Sequence, residues 1–221
     1  MTNGHSVLDV AAGTGEASIG LASRVGATGH VLAVDLSLPM LQMAAGKVDG
    51  LPVRFALMDG QRLACRSQSF DAVVCQLGLM FFPDPARGLE EFRRVLKPRR
   101  RAAVCVISTS ERAPMWGALA DALGERVPDQ RALLHLSFAL AKAGFRGITV
   151  TREIRESAFE SFDDYWAPIR GRRREPAAGL SRAVPIQPPR RPRGRAHAAR
   201  TVRVREGLVM MLEMLIGAGR A

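Results

Sequence analysis

Aromatic residues are scarce in this chain of 221 residues: nine Phe, two Trp and a single Tyr, 5% of the total. None follows Trp166. The last quarter of the chain therefore has no ring on which a nucleotide base could stack. Cysteine is equally sparse. Cys65, Cys75 and Cys105 stand far apart, without a Cys-x-x-Cys pair. That spacing gives neither a disulfide framework nor a thiolate zinc site, and it makes the three small buried apolar residues. No metal site is expected. Long apolar runs are also missing. No stretch reaches the roughly 18 residues of a membrane span, and no basic segment with an apolar core opens the chain. The expectation is a soluble, cytoplasmic protein.

Positive charge is abundant but confined. The formal net charge is +11, and residues 170–205 carry twelve Arg against one acidic residue. Elsewhere 20 basic residues face 20 acidic ones, so the rest of the chain is neutral. The basic character belongs to one Arg- and Pro-rich segment, not to a folded face. With few apolar residues, that segment cannot bury enough surface to offset its ordering entropy. A poorly ordered insertion at 170–205 is expected. It separates an α/β domain over 1–169 from a last strand of the same sheet within 206–221.

The apolar pattern before residue 170 alternates short continuous runs with helical stripes. Strands are expected at Ser6–Ala11, Val31–Val34, Val53–Leu57, Phe70–Cys75, Ala102–Ile107, Ile148–Thr151 and Leu208–Ile216. Ser37 and Asp84-Pro85 cap two of the helices between them, Lys97-Pro98 ends the second, and Trp116–Ala143 reads as largely helical. This alternation predicts an α/β fold, a doubly wound, mostly parallel sheet of seven strands. Ligands in such sheets bind beyond the carboxyl ends of the strands. Asp9 to Gly15, Asp35, Asp59 and Gln76 all fall there.

The first strand-loop-helix-strand unit, Val7 to Asp35, suits a nucleotide. Its loop Gly13-Thr14-Gly15-Glu16-Ala17-Ser18 puts Ser18 where a dinucleotide fingerprint wants glycine or alanine. Asp35 suits a ribose diol. Asp9 interrupts an apolar strand, a costly place for a carboxylate without a partner, and loop N–H groups or a ligand ammonium could supply one. Asp9 and Glu16 would repel a pyrophosphate and attract a cation. Asp59 could accept a hydrogen bond from an adenine amino group.

At these residues the sequence resembles the class I S-adenosylmethionine-dependent methyltransferases. Val7-Leu8-Asp9-Val10-Ala11-Ala12-Gly13-Thr14-Gly15 is similar to their first motif. Met58-Asp59-Gly60, Ser69 to Cys75, and Phe92 to Pro98 are similar to the next ones. The flavour is that of the small-molecule group containing the ubiquinone and menaquinone biosynthesis C-methyltransferases. The resemblance implies a Rossmann-like fold and S-adenosyl-L-methionine as cofactor. It implies that Asp9, Ala11, Gly13 and Gly15 surround the methionine part. Asp35 would hold the ribose hydroxyls, Leu36 would pack on adenine, Asp59 and Gly60 would meet the adenine amino group, and Gln76 would lie near the methyl group.

Two departures stand out. Arg99-Arg100 occupy positions where the family has a tight glycine turn. Met1 lies about five residues before the first strand, so an N-terminal cap over the mouth is expected to be missing. The function expected is methyl transfer to a small-molecule acceptor, with no catalytic residue assigned. The alternatives are a nucleic-acid-binding protein acting through 170–205, a nicotinamide-dependent oxidoreductase, and an inactive remnant of a methyltransferase. His135, in an apolar run, is expected to be partly buried. Tyr165 and Trp166 are expected to pack rather than bind substrate.

Overall fold

The computed structural model describes residues 1–108, 135–159, 203–204 and 207–221. Strand β1, Ser6–Val10, runs through the middle of the sheet, and its Val7, Leu8 and Val10 are at most 1% exposed. It lies parallel to β2, His30–Asp35, on one side and to β4, Phe70–Gln76, on the other. Strand β3, Val53–Leu57, adds beyond β2, and β5, Leu96–Ile107, beyond β4, both parallel to their neighbours. Strands β6, Arg146–Phe159, β7, Arg203–Val204, and β8, Gly207–Arg220, complete the order β3-β2-β1-β4-β5-β8-β6, with β7 paired to β8 off that path. Strand β8 runs antiparallel to β5. The sheet is thus mostly parallel and doubly wound as expected, and the two-residue β7 is an eighth strand. The order reverses between β1 and β4, which opens a crevice at their carboxyl ends.

Helix α1, Glu16–Val25, turns Ser18, Leu21, Ala22 and Val25 inward, one face at helical spacing. Those apolar side chains pack with Val7, Val31 and Ala72. Helix α2, Leu38–Ala45, begins at Ser37, whose hydroxyl accepts from the Met40 N–H at 3.4 Å. A single 3₁₀ turn, Leu79–Phe81, leads towards α3, Pro85–Val95, capped by Asp84, which accepts from the Arg87 N–H at 3.0 Å. Helix α4 covers Leu136–Lys142.

Several boundaries differ from expectation. Strand β5 begins at Leu96, not Ala102, so Pro98 lies inside a strand and α3 has already ended at Val95. The extra residues slip the register. Leu96 pairs with Phe70 and Arg101 with Ala72, and Arg99 takes φ +66° in between. Positive φ was anticipated for a turn there, and Arg99 alone has it; Arg100 does not. His135 is exposed, at the cap of α4, rather than partly buried. Strands β6 and β8 both run longer than the apolar runs that announced them. Of the long helix expected over 116–143, only α4 lies within the described residues; Tyr165, Trp166 and nearly all of 170–205 fall outside them.

The chain divides into two compact units, one of Met1–Thr109, Val127–Glu153 and Glu213–Ala221, the other of Ser110–Arg126 and Ile154–Leu212. The first contains β1 to β5 and α1 to α4. In the second, β7 pairs with the start of β8 through Arg203–Leu208 and Val204–Gly207. Among the described residues no helix is long and apolar enough to cross a membrane.

Candidate functional site

A cavity of about 560 Å³ lies at the crevice, within the first unit. Of the nine predicted positions, Asp9, Ala11, Gly13, Asp35, Leu36, Asp59, Gly60 and Gln76 line it. Gly15 does not. A Cβ on Gly15 would stand 2.9 Å from the Ala44 Cβ, and its φ is +87°. It starts α1 in a left-handed conformation and lets α2 approach.

The loop after β1 is held from three directions. The Ala12 N–H donates to the Val34 carbonyl at 3.0 Å, and the Gly15 N–H to the Ala12 carbonyl at 3.0 Å. The Gly13 N–H donates to Asp35 Oδ2 at 2.8 Å. Asp35 Oδ1 accepts from the Ser37 N–H, also at 2.8 Å. Asp35 therefore joins the loop to the start of α2, and an ionised carboxylate keeps further lone pairs for a diol. Gly13 has φ +55° and no atom within 4 Å of where a Cβ would be, so it opens to the cavity.

Asp9 is completely buried. Its partner is neither of those foreseen. Ser18 Oγ donates to Asp9 Oδ2 at 2.6 Å, from the first turns of α1. Asp9 Oδ1 is buried with no hydrogen-bond partner. Burial pushes the Asp9 carboxyl up to about 6; the Ser18 bond opposes this and the negative charge of Asp35 adds to it. Cys75, in β4, is pushed up to about 12, first by its own burial and then by Asp9. An ionised buried carboxylate with one oxygen unpaired is costly, and a cation in the cavity relieves that cost.

Glu16 behaves differently from expectation. It lines the cavity, but its exposed carboxylate is paired with Lys47 Nζ at 2.6 Å. The uncompensated negative charge belongs to Asp9, Asp35 and Asp59. No Lys, Arg or His is among the described residues lining the cavity. Asp59 Oδ1 accepts from the Gln61 N–H at 2.8 Å, and Gln61 Oε1 accepts from the Asp84 N–H at 2.8 Å. This chain of bonds ties the end of β3 to the cap of α3.

The opposite wall comes from the residues after β4. Leu77 has φ +56°, and its N–H donates to the Cys105 carbonyl at 2.8 Å. Ala11 has φ +56°. A Cβ on Gly78 would fall 2.3 Å from the Ala11 Cβ, so the two strand ends meet where only a glycine fits. Phe82 stands against the cavity. A Cβ on Gly60 or Gly88 would come within 2.6 Å of its ring, and its centroid lies 6.2 Å from that of Phe92, edge to face. Leu36, Met40 and Phe81 form an apolar rim, 68%, 46% and 43% exposed.

Sequence reasoning missed Ser18 as the partner of Asp9, and it missed Met40, Met58, Gln61, Phe81 and Phe82 as lining residues. Ser18 was readable as a polar residue on the buried stripe of α1. The adjacent Phe81-Phe82 pair after β4 was the only signal for the far wall. Among the described residues, no cluster of His, Cys, Asp and Glu could hold a metal ion.

A family model described as a methyltransferase domain matches residues 7–99, the span that builds this cavity. The demethylmenaquinone methyltransferase of Lactobacillus johnsonii is 30% identical over 175 residues, 67% of this chain and 71% of that protein. That of Clavibacter sepedonicus is 40% identical over 107 residues, 48% of this chain and 42% of that protein. Several of the curated relatives are matched over only about half of their length. The solved YcgJ protein of Bacillus subtilis shares the fold, with a TM-score of 0.68 and 16% identity over 99% of this chain and 93% of that one. The architecture is thus that of a Rossmann-like domain with its cavity at the switch point. By its relatives, the chain belongs to the class I S-adenosylmethionine-dependent methyltransferases, with its similarity in the demethylmenaquinone group.

Proposed function

We propose that this chain transfers a methyl group from S-adenosyl-L-methionine to a small-molecule acceptor with a flat, apolar ring. The observation that carries this is the buried, unpaired Oδ1 of Asp9, a residue lining a cavity that holds further carboxylates and, among the described residues, no basic side chain. Such a site favours a cationic cofactor over a pyrophosphate. The residues fit the group. Asp9 would meet the cationic amino acid portion, beside the open backbone of Ala11 and Gly13. Asp35 would accept from the ribose hydroxyls, Leu36 and Met40 would cover adenine, and Asp59 would accept from its amino group beside Gly60.

When bound, the cofactor supplies a methyl group on a sulfonium, already activated for displacement. The chain's own residues bind and orient. Alignment of a reacting pair is worth about 7–11 kcal/mol in well-placed systems, and no residue is assigned as the base that takes the acceptor's proton. Gln76 borders the side from which an acceptor would approach, and the rim of Phe81 and Leu36 suits a flat apolar ring. The relatives' names, which speak of a demethylated menaquinone, support a quinone-like acceptor. The three unpaired cysteines support a cytoplasmic location.

Calorimetric titration with S-adenosylmethionine tests the reading. A binding isotherm is expected for the intact chain. Asp35→Ala is expected to weaken it ten- to hundredfold, about 1.4–3 kcal/mol, through lost charge-assisted hydrogen bonds. Absence of any isotherm, or binding of NADH alone, overturns it.

A further inference from the structure

We propose that Ser18 is a positioning residue that keeps Asp9 ionised and turned so that its second carboxylate oxygen meets the cation of the cofactor. The inference rests on the function proposed above and adds a residue to it. Ser18 is completely buried, in the first turn of α1, and its hydroxyl reaches Asp9 Oδ2 at 2.6 Å. A hydroxyl so short and so dry is a charge-assisted donor. It occupies one oxygen of the carboxylate and leaves the other, Oδ1, unpaired in the cavity wall.

The surroundings make that single donor decisive. Asp9 lies mid-sheet, between Ala33 of β2 and Val74 of β4. The groups facing it are Asp35 at the end of β2, Cys75 in β4 and Ser18 itself. Asp35 disfavours the ionised form, and the Cys75 thiol stays protonated. Glu16 and Asp59 line the same cavity; Glu16 is answered by Lys47, and the described residues lining the cavity include no Lys, Arg or His. Ser18 is thus the chief group among the described residues that favours the carboxylate. The loop N–H groups that might have served are committed elsewhere, Gly13 to Asp35 and Ala12 to Val34.

Cofactor binding should then be coupled to loss of a proton. Below the midpoint near 6, Asp9 is protonated in the empty cavity, and a cation gains nothing from it. Affinity rises with pH and levels off above the midpoint, at about tenfold per pH unit on the rising limb. Removing the hydroxyl removes the term that favours the carboxylate, so the midpoint moves up.

The experiment is calorimetric titration of the full chain with S-adenosylmethionine from pH 5 to pH 8, for wild type, Ser18→Ala, Ser18→Cys and Ser18→Thr. Wild type is expected to show the midpoint near 6. Ser18→Ala is expected to shift it up by about one pH unit, Ser18→Cys in the same direction, and Ser18→Thr to retain it. A purely packing role for Ser18 would lower the melting temperature and leave the midpoint in place. That result, with binding intact, overturns this inference alone. Lack of wild-type binding at pH 8 overturns the proposed function instead. If the Ala and Cys variants do not fold, carboxyl NMR of Asp9 in the wild-type chain decides. An inflection between pH 5 and 7 that disappears on cofactor binding supports the inference, and a flat trace overturns it.

Discussion

Arg99 sits at φ +66°, where a side chain costs on the order of 1 kcal/mol over glycine. Its side chain is exposed, and its N–H donates to the Ala221 carbonyl at 3.2 Å, a bond that glycine would keep. Arg99→Gly should therefore stabilise the chain by about 1 kcal/mol and raise the melting temperature by about 2–4 °C, read by differential scanning calorimetry. Individual residues were also where sequence reading did best. Asp9, Asp35 and Asp59 each break an apolar strand or close one, so their carboxylates announce themselves. The closeness of Gly15 to the Ala44 methyl group was not legible, because a glycine in a loop looks alike whatever stands beside it. Ser18 was hidden for the opposite reason. It sits on a helix stripe whose inward direction was legible, while its partner nine residues earlier was not.

Elements carry the next level of organisation. The loop between β3 and β4 has no regular structure of its own, and one ion pair on α3 fastens it. Glu91 accepts from the Leu63 N–H at 2.9 Å, while Arg94 donates to the Leu63 carbonyl at 2.9 Å and to the Cys65 carbonyl at 2.8 Å. Arg94 Nε and Glu91 Oε1 lie 2.7 Å apart. That hydrogen bond holds the Glu91 carboxyl below its ordinary 4.5, against the upward push of burial. A depressed acid adds stability that is present above its unfolded value and lost as the pH falls through the folded one. Glu91→Gln should thus cost about 3 kcal/mol at pH 7 by urea unfolding, and the gap to wild type should close below pH 4. None of this network was legible. Helix existence was readable from caps and stripes. Strand ends were not, because β5 and β6 extend through charged residues that their pairing partners, not their own polarity, keep extended.

At the scale of the whole molecule, fold class followed from alternation alone, and a last strand followed from a single apolar run after the basic segment; its antiparallel direction did not. What the alternation could not supply is the far wall of the cavity. Phe82 is placed there by Gly60, in the loop after β3, and by Gly88 and Phe92 of α3. Because the cavity draws on so many elements, a ligand that fills it should stabilise the fold cooperatively. S-adenosylmethionine at a hundred times its dissociation constant is expected to add about 2.7 kcal/mol to the unfolding free energy. Thermal melts with and without the cofactor measure this, and Asp35→Ala should cut the gain to about 0.4–1.4 kcal/mol at the same concentration.

Strand β8 meets β5 from Arg101–Arg220 to Ile107–Met214, partners more than a hundred residues apart in sequence. During synthesis, every cavity-lining residue and the strands that bear them emerge long before that partner does. Until then β5 is a bare edge, seven residues of which, Arg101 to Ile107, later pair with β8. Loop closure over such a distance is slow, and exposed edges of this kind recruit other chains. Arg99, Arg100 and Arg101, of which Arg99 alone carries a strained φ, stand at the start of that edge. Charge at the start of an unpaired edge disfavours edge-to-edge pairing with another chain.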